Sequence, residues 1–224
     1  MTATYLIVAA VAFLLGSIPF GYLLVRIFRG EDVRKTGSGN IGATNVARTG
    51  SKGLAIATLL LDALKGYVAV WIAFRLSGAY LGHIIPPPTG TLAEMKSVSD
   101  AMQYAYLLAA LAALFVILGH MFTPWLGFKG GKGVAAAVGA FAAVAPRAVL
   151  ISVAVFVVAV ALTRYVSLGS ILGAAVFPFA AYWLTPAMRD PIIMSLVATS
   201  SLLVIIRHHA NVRRLLAGNE NRLW

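Results

Sequence analysis

The sequence predicts an all-helical protein that crosses a membrane several times, and three observations support this. Apolar residues fill 60% of the 224 positions, whereas charged residues fill only 11%. The mean hydropathy is +0.88, far above the balance of a soluble domain. Long apolar runs alternate with short polar segments, and a transmembrane helix needs about 20 mainly apolar residues. We therefore expect one integral-membrane domain over residues 1–224, with about seven helices.

The first apolar run, 2–25, predicts a retained helix rather than a cleaved signal peptide. No basic residue precedes it, it lacks a small-residue cleavage site, and basic residues follow it at once. Its N-terminus is therefore expected outside the cell. Pro19 and Gly16 predict a kink in this helix, tolerable where neighbouring side chains satisfy the freed carbonyl group.

Six further apolar runs follow, and the second of the seven carries two charges. Asp62 and Lys65 lie one turn apart within 53–76, and charges at membrane depth are expected to pair. Residues 77–100 form the longest polar insertion, with three consecutive prolines, and predict a loop on the membrane interface. The remaining runs are 101–121, 134–145, 148–163, 168–184 and 191–206. The run 134–145 is the short one among them.

Basic residues predict the orientation of the bundle. Seven crossings that start outside place three polar regions, 26–52, 122–133 and 207–224, on the cytoplasmic side. With Arg164, which follows the fifth run, thirteen Lys and Arg residues then face the cytoplasm and four face the other side, as the positive-inside rule requires. The C-terminus is thus expected in the cytoplasm. This bias explains the net charge of +11 without nucleic acid, and zero cysteines exclude thiolate catalysis and cysteine-bound metals.

The first polar motif, residues 37–48, is suited to binding an anion. Glycines, asparagines, a serine and a threonine supply donors without bulk, and an arginine follows. The alternative is a turn-rich loop in which Asn45 caps the next helix. The candidate ligands for a phosphate are Ser38, Asn40, Thr44, Asn45 and Arg48.

The second motif, residues 119–134, places a glycine turn at the start of a helix, where free N–H groups and the helix dipole favour a phosphate. It is not a nucleotide-binding loop, because Leu126 stands where that pattern needs its first glycine and Gly133 replaces the Mg²⁺-binding Ser or Thr. The alternative is a basic turn held at the headgroup level by Trp125. The candidate phosphate ligands are Lys129, Gly130, Gly131, Lys132 and Gly133.

The third motif, residues 207–220, pairs a histidine with an asparagine. His208 and Asn211 are three residues apart, so on a helix they share a face and can orient one substrate group. No His-Glu-x-x-His arrangement is present and carboxylates are few, so no metal is expected. Taken alone, the two adjacent histidines fit a solvated helix flank equally well.

Together the three motifs resemble a known family. GSGNIGATNVARTG, GHMFTPWLGFKGGKGVA and RHHANVRRLLAGNE occur in this order between hydrophobic helices, and the combination resembles the bacterial acyl-phosphate:glycerol-3-phosphate acyltransferases, the PlsY family. The resemblance implies a seven-helix inner-membrane enzyme of phospholipid biosynthesis. It would move a fatty acyl group from acyl phosphate to the 1-hydroxyl of sn-glycerol 3-phosphate, giving 1-acyl-glycerol 3-phosphate and phosphate, with its active site at the cytoplasmic face.

The resemblance also implies roles for individual residues. The family's essential serine and arginine fall on Ser38 and Arg48. Its histidine and asparagine fall on His208 and Asn211. Its glycine-rich phosphate loop falls on Gly130, Gly131, Lys132 and Gly133. Ser38, His208 and Asn211 are thereby the predicted catalytic residues, and Glu220 is expected to be structural. The chain departs from the family at His209, where a basic residue is expected.

The implied chemistry needs no cofactor. Acyl phosphate is already activated, so positioning and charge stabilisation can suffice without nucleotide, metal or covalent intermediate, and two phosphates require separate cationic cradles. The expected partners are acyl phosphate, sn-glycerol 3-phosphate and the lipid bilayer, with no nucleic acid and no obligate protein partner. Three alternatives remain open: a transporter that uses Asp62, a non-catalytic membrane scaffold, and an acyl-enzyme formed on Ser38.

Overall fold

The structure, a computed structural model, describes residues 2–81 and 92–223, and this part of the chain is helical without any strand. Three short 3₁₀ turns, Val33–Lys35, Pro124–Leu126 and Pro186–Arg189, lie between the helices. The helices are α1 Thr2–Ser17, α2 Phe20–Arg29, α3 Ala43–Ala47, α4 Lys52–Leu81, α5 Leu92–Met121, α6 Val134–Ala142, α7 Pro146–Thr163, α8 Val166–Leu184, α9 Pro191–Ile206 and α10 His209–Leu216.

Within residues 2–81 and 92–223, five helical segments are long and apolar enough to cross a membrane. They are Thr2–Arg29, Lys52–Gly78, Lys96–Leu126, Pro146–Thr163 and Val166–Leu184. A sixth arises if α9 and α10, bent by 51° at their junction, are counted as one span. The short fourth run forms α6, whose nine residues extend only about 14 Å against a hydrocarbon core of ~30 Å. The predicted polytopic helical protein is confirmed, whereas seven crossings stay a prediction.

The predicted interfacial loop over 77–100 is wrong at both ends. Helix α4 continues to Leu81 and α5 begins at Leu92. Ser77 is buried, and its hydroxyl donates to the Phe74 carbonyl within the same helix (2.8 Å). The polar composition was misleading because 92–96 contains leucine, alanine, glutamate, methionine and lysine, which are all strong helix formers. The three prolines lie outside the described residues.

The predicted kink separates α1 from α2 at Pro19. Lys65 Nζ donates to the Ile18 carbonyl at the break (2.8 Å). The Thr123 hydroxyl donates to the Ser17 carbonyl, and Trp125 Nε1 donates to Ser17 Oγ (2.9 Å). Side chains from α4 and from the segment after α5 thus satisfy the carbonyl groups of Ser17 and Ile18, which the break leaves without helical partners.

Small residues bring the central helices into close contact. A Cβ added to Gly66 of α4 would collide with the Ala136 carbonyl of α6, and one added to Gly139 of α6 would collide with the Ala63 carbonyl of α4. Gly119 of α5 packs in the same way on the Phe13 carbonyl of α1. Such contacts are typical of helices packed in membranes, where small residues let backbones approach. They fix the start of α6 beside the middle of α4.

Candidate active site

A polar cavity of about 530 Å³ lies at one end of the bundle and is lined by all three sequence motifs. Residues 38–48 form one wall, the start of α6 forms a second, and the start of α8 with the C-terminal segment closes it. The predicted site residues that line this polar cavity are Ser38, Asn40, Thr44, Asn45, Arg48, Lys132, Gly133, His208 and Asn211. Three stretches far apart in sequence therefore meet in one place.

Three predicted residues lie elsewhere. Lys129 and Gly130 line an open polar depression on the other side of residues 38–40, together with Lys35 and Arg207. Gly131 lines neither the polar cavity nor this depression. Within the second motif, His120 near its start and Lys132, Gly133 and Val134 at its end line the polar cavity.

Asn45 folds the first motif. Its side chain is buried, and its Oδ1 accepts hydrogen bonds from the Ser38 amide (2.8 Å) and the Ser38 hydroxyl (3.1 Å). Its Nδ2 donates to the carbonyl groups of Val33, Thr36 and Asn40. Asn45 caps no helix, since it lies inside α3, whose N-cap is Gly42. Its amide is occupied in shaping the loop that presents Ser38.

Arg48 supplies positive charge to this wall. Its side chain packs on Gly37, where an added Cβ would lie 2.9 Å from Arg48 Cδ. Among the described residues no carboxylate forms an ion pair with it. A guanidinium without a counter-charge at a cavity wall is suited to binding a phosphate from outside the chain.

The doublet Gly130-Gly131 serves packing rather than anion binding. Their amides already donate to the last carbonyls of α5, Met121 (3.1 Å) and His120 (2.9 Å). The Arg207 guanidinium donates to the carbonyls of both glycines, at 3.3 and 3.2 Å. A Cβ on Gly131 would collide with His120 Nε2. Glycine is needed here because the backbone lies directly on the end of α5.

The glycine of the second motif that lines the polar cavity is Gly133, at the start of α6. Gly133 is the N-cap, with φ +81°, a left-handed conformation that favours glycine. Gly133, Val134 and Ala135 all line the polar cavity. The first turn of a helix leaves its N–H groups without intrahelical acceptors and carries the positive end of the dipole. Of the predicted glycine-rich cradle, Lys132 and Gly133 thus line the polar cavity, whereas Gly130 and Gly131 do not.

A chain of hydrogen bonds joins the second motif to the third. Lys132 Nζ donates to Asn211 Oδ1 (2.5 Å), and Asn211 Nδ2 donates to Glu220 Oε1 (2.6 Å). Ser167 Oγ and Arg214 Nε hold the same carboxylate at 3.0 and 2.6 Å. Glu220 therefore anchors Asn211, and Asn211 orients Lys132 toward the polar cavity.

The environment makes Lys132 a tunable cation. Burial lowers the pKa of Lys132 to about 8, and the positive charges of Arg214, Arg48 and Arg207 act in the same direction against the attraction of Glu220. Burial alone would raise the pKa of Glu220, but its hydrogen bonds outweigh this and hold that pKa below its usual value. Glu220 therefore stays a carboxylate at neutral pH, whereas Lys132 loses its charge in mild alkali.

His208 presents one defined nitrogen. The ring is buried at the break between α9 and α10, and Nδ1 lies 2.8 Å from the Val204 carbonyl. A carbonyl only accepts, so Nδ1 carries the proton and Nε2 is left with its lone pair in the neutral ring. This nitrogen can accept a hydrogen bond from a hydroxyl group. His209 is exposed and does not line the polar cavity.

The floor of the polar cavity is formed by residues that the three motifs did not identify as site residues. Asp62 and His120 line it, and the predicted Asp62–Lys65 ion pair is present at 2.7 Å with both side chains 3% exposed. His120 Nδ1 lies 3.5 Å from Asp62 Oδ1. The charges of Asp62 and Lys65 within an apolar run are visible in the sequence and could have indicated a functional role. Only the fold shows that they lie next to the site. Among the described residues, no group of three or more His, Asp and Glu side chains is placed to hold a metal ion.

An apolar groove of about 410 Å³ adjoins the polar cavity. Helices α4, α6, α7, α8 and α9 all contribute to its walls. Leu60 and Val138, which line it, are 62% and 36% exposed, so one side opens to the surroundings of the bundle. Its rim is shared with the polar cavity through Leu59, Val134, Ala135, Phe156 and Ser170.

The chain is similar to known proteins over most of its length. The model of the family described as glycerol-3-phosphate acyltransferase matches residues 6–218. A glycerol-3-phosphate acyltransferase from Geobacter sulfurreducens is 43% identical over 97% of this chain and 96% of its own length. One from Mesorhizobium japonicum is 45% identical over 98% of this chain and 97% of its own length. The crystal structure of PlsY (YgiH), an integral membrane glycerol 3-phosphate acyltransferase, in its glycerol 3-phosphate form matches with TM-score 0.80 and 33% identity, over 98% of this chain and 96% of that one.

Proposed function

Since the chain belongs to the glycerol-3-phosphate acyltransferase family of integral membrane enzymes, we propose that its acyl donor is acyl phosphate. The acyl group moves to the 1-hydroxyl of sn-glycerol 3-phosphate, and the products are lysophosphatidic acid and inorganic phosphate. The observation that supports this most strongly is the continuity of a cationic polar cavity with an apolar groove. A donor with a phosphate head and an alkyl tail needs both.

The polar cavity has enough positive charge for two phosphates. Arg48 and Lys52 lie on one wall, and Lys132 with the start of α6 lies on another. Two anionic reactants repel one another, so cations on separate walls let both be held close enough to react. The PlsY neighbour was solved in its glycerol 3-phosphate form, which supports this acceptor for the present chain.

The acyl tail lies in the apolar groove. Its rim, at Val134 and Ser170, is also a wall of the polar cavity, so the acyl carbonyl of a bound donor would sit at the junction. The side that Leu60 and Val138 leave open lets a tail enter from the bilayer. The PlsY neighbour was also solved in its lysophosphatidic acid form, at TM-score 0.78 and 31% identity, and such a product carries the same kind of tail.

The reaction is a direct transfer. The 1-hydroxyl oxygen attacks the acyl carbon, the bond from that carbon to the phosphate oxygen breaks, and phosphate leaves with the bonding electrons. His208 Nε2 orients the attacking hydroxyl, and its proton passes to a phosphate oxygen, directly or through His208. Asn211 assists by orienting Lys132. Lys132 and the first amides of α6 stabilise the charge on the departing phosphate.

A covalent route through Ser38 is disfavoured. The Ser38 hydroxyl donates to the Asn45 amide oxygen (3.1 Å), which is not a base. An activated serine needs a base that accepts its proton. We therefore assign Ser38 a binding role toward a phosphate. Trapping of an acyl-Ser38 adduct, detected by mass spectrometry, would reverse this assignment.

The proposed topology has seven crossings, with α6 as a short one, the N-terminus outside, and the polar cavity at the cytoplasmic face of the bacterial inner membrane. The distribution of basic residues supports it. The chain contains no cysteine, so single cysteines introduced at Arg147 and Arg213 can be labelled without background. A membrane-impermeant maleimide should label only the former in intact cells, and labelling of Arg213→Cys would contradict the topology.

Phosphate release tests the proposed function against transport. Detergent-solubilised protein is given acyl phosphate with and without glycerol 3-phosphate. We expect phosphate to be released only when the acceptor is present. Two unchanged mixtures would favour a transporter, and release without acceptor would indicate a hydrolase.

A further inference from the structure

The apolar groove runs from the polar cavity toward the interior of the bundle over a defined length. Three helices supply lining residues from the shared rim onward: α6 over 134–141, α7 over 156–149, and α8 over 170–177. Each stretch spans seven residue steps, which is about 10.5 Å at 1.5 Å per residue. These three helices therefore stop lining the groove at a similar depth, whereas α4 and α9 line it only over 59–63 and 204–200.

An aromatic pair closes that end. Phe141 and Phe177 both line the groove, are 3% and 5% exposed, and have ring centroids 4.4 Å apart with planes tilted by 39°. Ala145 in the turn between α6 and α7, Ala148 of α7 and Ala181 of α8 are completely buried and do not line the groove. Beyond the two rings, closely packed protein leaves no room for more of a tail.

The length of acyl chain that the groove prefers is set by packing against its walls and not by the hydrophobic effect. A tail that leaves the bilayer for the groove exchanges one apolar surrounding for another, so little hydrophobic free energy is gained. A tail that stops short of the rings leaves a void whose lining lacks contacts. A tail that is too long must press on the rings or bend out past Leu60, and both weaken its packing.

We propose that Phe141 and Phe177 form an end-stop that sets the acyl-chain length which this enzyme transfers best. The inference rests on the proposed acyl transfer, because it concerns the tail of the donor. The two rings determine specificity and take no part in the chemistry at the carbonyl.

The test compares saturated acyl phosphates that differ by two carbons, with purified full-length protein in lipid nanodiscs and saturating glycerol 3-phosphate. In Phe141→Ala, and separately in Phe177→Ala, the preferred donor becomes longer. A gap of a methylene or more in an apolar pocket changes specificity by roughly tenfold, so we expect that change in the ratio of kcat/KM for long over short donors. Ala174→Leu, which fills the groove one turn before Phe177, shifts the ratio the other way.

Phe74→Ala is the matched control, because Phe74 packs against the core and does not line the groove. It should leave the chain-length profile unchanged even if it lowers stability. An active wild type whose profile is the same in all three groove variants would overturn the end-stop and leave the proposed function intact. A wild type that acylates glycerol 3-phosphate from no acyl phosphate would contradict the proposed function and the end-stop together.

Discussion

At the scale of single residues, Lys132 links the geometry of the site to pH. Its pKa of about 8 means that the ammonium is lost as pH rises through that value, and with it the attraction for a phosphate. We expect kcat/KM for glycerol 3-phosphate to fall on the alkaline side of about pH 8, since this ratio reports groups of the free enzyme. Lys132→Arg, which keeps its charge at all accessible pH, should move that decline to higher pH. An identical alkaline decline in both proteins would assign it to another group.

His208 is expected to act on turnover more than on binding. A positioned histidine contributes about 10²–10⁴-fold to a rate, so His208→Ala should lower kcat by roughly that factor with a much smaller change in KM. His209→Ala is the matched control, because its ring is exposed and outside the polar cavity. Steady-state kinetics with both substrates make the comparison. A raised KM with unchanged kcat in His208→Ala would remove the orienting role.

At the scale of helices and loops, Gly131 shows how α5 positions the second motif. A Cβ at this position collides with the His120 ring, so Gly131→Ala must displace either Lys132 or the cavity floor. We expect a loss of activity of about tenfold or more, because small displacements of catalytic groups are costly. Gly78→Ala, on α4 with open space around it, is the control and should retain full activity. Normal activity of Gly131→Ala would show that the loop tolerates movement.

The ion pair that ties α4 to the α1–α2 kink is expected to matter for stability. Lys65→Met leaves Asp62 buried without its partner and frees the Ile18 carbonyl. Breaking one side of a buried pair costs about 3–5 kcal/mol. Asp62→Asn combined with Lys65→Met should recover most of this loss, because no uncompensated charge remains. Thermal unfolding in detergent measures both, and additive losses in the double variant would refute the pairing argument.

The three motifs are recognisable in the sequence, but the hydrogen bonds that their backbones form are not. The stretch from Lys129 to Gly133 has the composition of a phosphate loop, and its helix-start amides do line the polar cavity. The amides of Gly130 and Gly131 bond to α5 instead, a pairing that depends on the tertiary fold. The Asn45 side chain could have bound a substrate phosphate, but it donates to carbonyl groups of its own loop instead. The local sequence does not distinguish these two roles.

At the scale of the whole molecule, a bundle of apolar helices brings charge from three distant stretches into one polar cavity beside an apolar groove. Hydropathy was sufficient to predict a polytopic helical protein, because membrane spans are set by length and composition. It was insufficient to count crossings, since α6 is shorter than a full span and α9 bends into α10. Nor could it predict the groove, which depends on how five helices pack against one another.

The most direct test of this account measures lipid product and phosphate together. Wild-type protein is given radiolabelled acyl phosphate and glycerol 3-phosphate, alongside Arg48→Ala, Lys132→Ala and His208→Ala, one variant from each motif. We predict one phosphate released for each acylglycerol phosphate formed, and a large loss of both products in all three variants. Phosphate without lipid product, or a variant that keeps the wild-type rate, would contradict a shared site for acyl transfer.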